Sequence, residues 1–294
     1  MTTFASPPLS TNGSSAPPPL TPGGRSTVRR LLVIAAAVLT VVSVVALVVI
    51  ALGINSVRVS TDRKELPDGM TSLSIDAADA TVRVTTDPSA ASPRVDLRML
   101  NSTRGGKQQL QVTSESDAAR IEVTPASPAF MDWGRTGEVT VTLPPALARG
   151  LTVTARQDDG TLIIDAELSR LLARTSDGNI VLNGSARRID VTSEDGDITA
   201  RRPISVTEAF SAETRDGDLA VRFGPDVPKS IDAVTRDGDL AVGLPDRGPY
   251  LVRATGGGRT DVRVPETTDP GAAVSVVTVH SSDGNVVVGA DPRR

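Results

Sequence analysis

Seven aspartates in this chain stand directly before a glycine, and apart from Asp68 they form a spaced series: Asp159, Asp177, Asp195, Asp216, Asp237 and Asp283. Three more, Asp197, Asp218 and Asp239, follow such a glycine, and the octet "TRDGDLAV" occurs twice, at Thr214–Val221 and Thr235–Val242. Carboxylates are hard oxygen ligands, and columns of them at the ~4.8 Å spacing of neighbouring strands could hold calcium. The metal expectation therefore falls on Asp177, Asp195, Asp197, Asp216, Asp218, Asp237 and Asp239. Two features oppose it. Calcium-binding repeat rolls use a nine-residue glycine-rich period that is absent here, and "EDGDI" lacks the distal glutamate of an EF-hand loop. Asp-Gly also needs no ligand to be explained, because Asp tolerates a turn and Gly supplies a positive φ. On that reading Gly160, Gly178, Gly196, Gly217, Gly238 and Gly284 are structural corners.

Catalysis is poorly provided for. Polysaccharide cleavage needs a proton donor and acceptor facing each other across a cleft, whereas repeated corner aspartates give identical neighbours. The lone histidine, His280, falls on an outward position. Absence of cysteine removes disulfides, thiolate metal sites and a thiol nucleophile. No phosphate loop, dinucleotide fingerprint or nucleophile elbow is present, so no cofactor and no catalytic residue is expected. Phe130 and Trp133, in "PAFMDWG", read as a small apolar loop contact.

The elements that carry the aspartates can be read from the glycines, the first five of which are spaced 18, 18, 21 and 21 residues apart. Seven residues before each Gly stand Val153, Leu171, Ile189, Phe210, Ile231 and Val277, and two after stand Leu162, Ile180, Ile198, Leu219, Leu240 and Val286. The positions five before and four after are apolar in every copy as well. Three before comes Gln157, Thr175, Ser193, Thr214, Thr235 or Ser281, small in all but one case. Alternation of period two on both sides of a corner predicts two short strands per unit, each with one buried face. A fixed period near 20 with the same positions buried predicts an all-β solenoid with 18–21-residue rungs. The extra residues of the longer units fall in "RRPISVTEAF" and "FGPDVPKS", away from the corner. The same buried set also fits an antiparallel β-meander of Asp-Gly hairpins, with Arg215 opposite Asp218 and Arg236 opposite Asp239. Between Gly238 and Gly284, "YLVRATGGGRTDVRVP" reads as one bulged rung. Residues 56–150 read as strands with weaker repeats that begin the same sheet system and cap its first rung, with a turn at Arg104–Lys107 and no linker within the exterior part.

Ahead of this domain lie two segments of different composition. Residues 1–30 begin with a Pro-, Ser- and Gly-rich tract expected to be disordered. Leu31–Ile54 has no charge over 24 residues. As a helix it is roughly 36 Å long at ~1.5 Å per residue, against ~30 Å of hydrocarbon, and predicts one transmembrane span. Arg25, Arg29 and Arg30 place the N-terminus in the cytoplasm and residues 56–294 outside the membrane. An uncleaved anchor is favoured over a signal peptide, whose apolar region is shorter. The first 54 residues hold three arginines and no acid, leaving 28 basic and 35 acidic residues beyond them. Such an acidic body argues against nucleic acid as a partner.

"VTVTLPPALARGLTVTARQDDGTLIIDA", "LLARTSDGNIVLNG", "IDVTSEDGDITA" and "AETRDGDLAV" resemble the bacterial "putative adhesin" repeat domains, with their V-P-x-G-L lead-in and T-x-S/D-G-x-I/V-x-L rungs. The resemblance covers roughly Ser72–Gly289. It implies a β-solenoid and an envelope location, and many members similarly carry one membrane span. Departures are Asp rather than Ser before most of the glycines and the irregular rung at 243–265. The expectation is a non-catalytic, membrane-anchored envelope protein of structural or interaction role, with an unspecified envelope or surface partner. The alternative is a calcium- or ligand-responsive envelope sensor.

Overall fold

The structure is a computed structural model and describes residues 33–44, 57–102, 109–124 and 137–290. The tail, both ends of the expected span, the turn at 104–107, Phe130 and Trp133 lie outside the described residues. The chain divides into two units, Met1–Ser56 and Val57–Arg294. In the first, residues 33–44 form a helix (α1) that leaves Val33, Ile34, Val38, Leu39, Val41, Val42 and Val44 exposed. Among the described residues no helix is long and apolar enough to cross a membrane.

The second unit contains the whole of the buried apolar core. Its regular part begins after a short helix, α2 (Pro145–Ala148), and Leu151. The strands are numbered in chain order. Strand β7 (Thr152–Asp195) runs unbroken through two full turns of the chain and into a third. It is followed by β8 (Ile198–Ala200), β9 (Ser205–Asp216), β10 (Leu219–Arg222), β11 (Ser230–Asp237) and β12 (Leu240–Gly243). Each turn stacks on the one before in parallel and in register: Ile189 on Phe210 on Ile231, and Ile198 on Leu219 on Leu240. Parallel pairing removes the antiparallel meander. Arg215 accordingly does not face Asp218 across a hairpin but reaches Glu194 of the preceding rung at 3.7 Å. The unit is β-solenoid-like, and its core is a pile of Val, Leu, Ile and Ala from both faces, with one edge-to-face pair, Phe210 and Phe223, at 5.2 Å.

The two ends depart from the simple repeat in different ways. The N-terminal half continues the same sheet system. Strand β2 (Ser72–Thr86) is itself a rung, lying parallel on β7 with Leu73 against Val153, Asp79 against Asp159 and Val82 against Leu162. Beneath it, β5 (Ala118–Thr124) and β6 (Gly137–Leu143) together make another, parallel to the two halves of β2. Only β4 (Gln109–Glu115), antiparallel on β5, and β3 (Arg94–Ser102) with β1 (Val57–Glu65), antiparallel beyond β6, close that end.

At the other end the chain order is swapped. The rung of β15 (Val276–Ser281) and β16 (Val286–Gly289) stacks directly on β11 and β12. The irregular unit, β13 (Leu251–Gly256) and β14 (Thr260–Arg263), lies outside it, on β15 and β16. The Asp283-Gly284 rung is last in sequence but not outermost in the stack. Its valines Val277, Val279, Val286 and Val288 are all 0% exposed, better partners for the regular stack than the Gly-rich segment between them in sequence.

Candidate functional site

The candidate site is the stacked Asp-Gly corner, and three columns of side chains run along it. The innermost is the position three before each glycine. Thr214 Oγ1 donates to the Gly196 carbonyl at 2.9 Å, Thr235 Oγ1 to Gly217 at 3.0 Å and Ser281 Oγ to Gly238 at 2.9 Å. Ser193 does the same to Gly178 at 3.2 Å, and the one large member, Gln157, donates through Nε2 to the Ala80 carbonyl at 2.5 Å. These groups are buried, so their hydroxyls satisfy carbonyls that water reaches poorly, whereas Thr175 Oγ1 in the same column is buried without a hydrogen-bond partner. The sequence marked this slot as small; that it carries a donor came only from the structure.

The glycines themselves are required by close approach. A methyl group at Gly178 would stand 2.6 Å from the Gly160 carbonyl oxygen. One at Gly196, Gly217, Gly238 or Gly284 would overlap the carbonyl of the corner beneath. Positive φ is secondary: Gly160, Gly196 and Gly238 have it, while the other three corners do not. The expectation that Gly serves mainly for φ is corrected on that ground.

The third column follows the glycines. Asn179 Oδ1 accepts the Asp197 N–H at 2.9 Å, Asp197 Oδ1 that of Asp218 at 2.9 Å, and Asp218 Oδ1 that of Asp239 at 2.8 Å. Asp239 Oδ1 accepts the Asn285 N–H at 2.9 Å, and Asn285 Oδ1 that of Arg259 at 2.9 Å. Every acid expected as a ligand in this column thus has one oxygen committed to the next rung. Asn179, Asn285 and Arg259 continue the ladder and were not singled out from sequence; the signal available was their place one residue after a corner.

Between these lies the column of Asp177, Asp195, Asp216, Asp237 and Asp283, with Asp195 and Asp237 each in register with Asp216. The Asp195 carboxyl is held above the ordinary carboxylate range, first by a hydrogen bond shared with Asp216, then by desolvation and the charges of Asp216 and Asp177. Asp237 is raised in the same way, by its hydrogen bond to Asp216, then desolvation and its bond to Asp283. Like charges in line retain protons. Among the described residues no three His, Asp or Glu side chains form a group able to hold a metal ion. His280 lies on the outer face of β15, exposed, with Nδ1 2.7 Å from Thr255 Oγ1.

Stacked parallel rungs with small corners define a β-solenoid-like class of protein. Residues 152–289 match the family described as Toastrack DUF4097. Several solved structures are similar to the chain. One, named a "putative adhesin" from Parabacteroides merdae, is 12% identical, with 79% of this chain and 96% of that chain covered and a TM-score of 0.42. Another of that name, from Parabacteroides distasonis, is 12% identical, with 78% and 97% covered and a TM-score of 0.41. A "putative cell adhesion protein" from Clostridium sporogenes is 9% identical, with 79% and 99% covered and a TM-score of 0.38. No curated protein matches the sequence.

Proposed function

We propose that this is a single-span protein of the cell membrane whose extracytoplasmic solenoid acts without catalysis, as an adhesin-like structural or interaction module. The observation that carries the reading is the use made of the polar groups. The corner hydroxyls, and the acids and amides that follow the glycines, bond to the neighbouring rung rather than converge on a space where a substrate could sit. A surface so arranged recognises by shape and charge along its length.

The anchor rests on the uncharged run Leu31–Ile54 and its flanking arginines. It is supported by the described helix within that run, which carries no charge and exposes its apolar side chains. The experiment is fractionation of cells expressing the full chain. The chain should remain with the membrane pellet through alkaline carbonate, and protease added to intact protoplasts should degrade residues 57–294. Recovery in the soluble fraction, or full protection of the solenoid, would overturn the reading.

A further inference from the structure

The outermost rung at the C-terminal end of the stack is left open. Among the described residues, strand β13 pairs only with β15, and β14 only with β16. Their core-facing residues Val252, Ala254 and Val262, and Val264 just beyond β14, are only partly buried, while Val277, Val279 and Val288, in register with the first three, are completely so. Pro265–Thr267 folds back over the start of β13, where the Tyr250 N–H donates to Pro265 at 2.8 Å and Tyr250 accepts from Thr267 at 2.9 Å. Among the described residues the edge of β14 has no such cover.

The direction of its main-chain groups follows from one bond. Val286 N–H donates to the Arg259 carbonyl at 2.8 Å. In a parallel ladder alternate residues bond one neighbour, so Asp261 and Arg263 turn their main chain toward β16. Thr260, Val262 and Val264 turn theirs away from the stack, with N–H and C=O groups facing outward. The side chains alternate too. Asp261 and Arg263 share the outer face, where they pair with each other, and Val262 and Val264 share the core face.

We propose that this edge is a self-association site, and that its partner is β14 of a second copy, paired antiparallel about a two-fold axis through Val262. At that centre Val262 meets Val262 of the other copy as a doubly hydrogen-bonded pair, and Thr260 meets Val264. Asp261 meets Arg263 on the outer face, twice by symmetry. Both apolar side chains of the edge then gain a neighbour on the core side. A two-fold through Asp261 or Arg263 sets like charges opposite each other and uses main-chain groups already bonded to β16. The charge pattern of the strand is therefore self-complementary at one register only. This goes beyond the proposed function and does not depend on the anchor, because it is read from the solenoid unit alone.

The chain has no cysteine, which makes a covalent test clean. Val262→Cys in the full-length chain, oxidised in detergent micelles, should give a disulfide-linked dimer as the main species on a non-reducing gel. Opposed residues of a hydrogen-bonded pair have Cα atoms ~5.5 Å apart, within the ~4.4–6.8 Å that a disulfide spans. Ala220→Cys, outward-facing in the middle of the stack, should stay monomeric. For the charge pairs, Asp261→Arg should weaken the dimer about tenfold by sedimentation, since each contact occurs twice, and Asp261→Arg with Arg263→Asp should restore it. Cross-linking at position 262 no greater than at 220 overturns the proposal. So does a ladder of higher oligomers, which signals head-to-tail contact. A charge swap that fails to restore the dimer overturns the stated register, and the proposal with it.

Discussion

The two ends of the solenoid are finished differently. At the N-terminal end the last parallel rung, β5 and β6, is covered by antiparallel strands, and the outermost of these, β1, carries Asp62, Arg63, Lys64 and Glu65 in succession. Alternating charge on an edge discourages pairing with another chain. At the C-terminal end the cover is a Gly-rich rung parallel to the rest, with half-buried valines and one uncovered strand. A solenoid must spend its first and last rungs on solubility, because each rung buries its apolar face only on a neighbour. Here one end spends strands of a different direction on that task, and the other leaves a strand that can serve as an interface.

The contrast can be broken at three depths. Leu219, 0% exposed in the middle of the stack, should cost about 3 kcal/mol on truncation to Ala, while Val262→Ala at the open rung should cost under ~1 kcal/mol. Denaturant midpoints of the two variants measure this; equal losses would mean the open rung is as well packed as the centre. Gly217→Ala should cost about 2 kcal/mol, because its methyl has no room above the Gly196 carbonyl. The corresponding corner of β2 is already an alanine, Ala80, in register with Gly137 of β6. Ala80→Gly should therefore cost no more than about 1 kcal/mol.

The smallest effect is electrostatic. Asp195 and Asp237 bind protons more tightly folded than unfolded, so they favour the folded state as pH falls from their raised values toward the ordinary carboxylate value of 3.8. Above the raised values the repulsion is fully present. The midpoint of thermal unfolding should thus rise on mild acidification from pH 7. Asp87 and Asp261, whose carboxyls are lowered, lose stability only as pH falls below 3.8. Asp216→Asn removes the shared neighbour and should both raise the midpoint at pH 7 and flatten its dependence on pH; an unchanged profile would sink this account of the column.

Much of the fold was legible because the repeat is nearly strict. Apolar positions at fixed distances from each glycine name the inward residues of the regular rungs, and the core contains them. The segment of β2 was legible as strand with a weaker repeat but not as a rung of the Gly-centred register, because its corner reads Asp79-Ala80, although Leu73, Ile75, Val82 and Val84 hold the same positions around Ala80 that the other rungs hold around Gly. The rung of β5 and β6 was hidden because residues 125–136 interrupt it at the corner. Within the candidate site, the two acidic columns could be found but their different chemistry could not. One commits an oxygen to a backbone N–H of the next rung, and in the other the carboxyls of Asp195 and Asp237 are raised by their aspartate neighbours.

By itself, then, the sequence determined which residues face inward, where the chain turns and which segment is uncharged, since these follow from periodicity and composition. Whether the units pair parallel or antiparallel was decided only by the tertiary structure, because both arrangements bury the same side chains. Only there, too, did the final rungs exchange places. Val277, Val279, Val286 and Val288 complete the regular stack better than the Gly-rich segment before them, and contact between distant segments, not order along the chain, sets which surfaces meet.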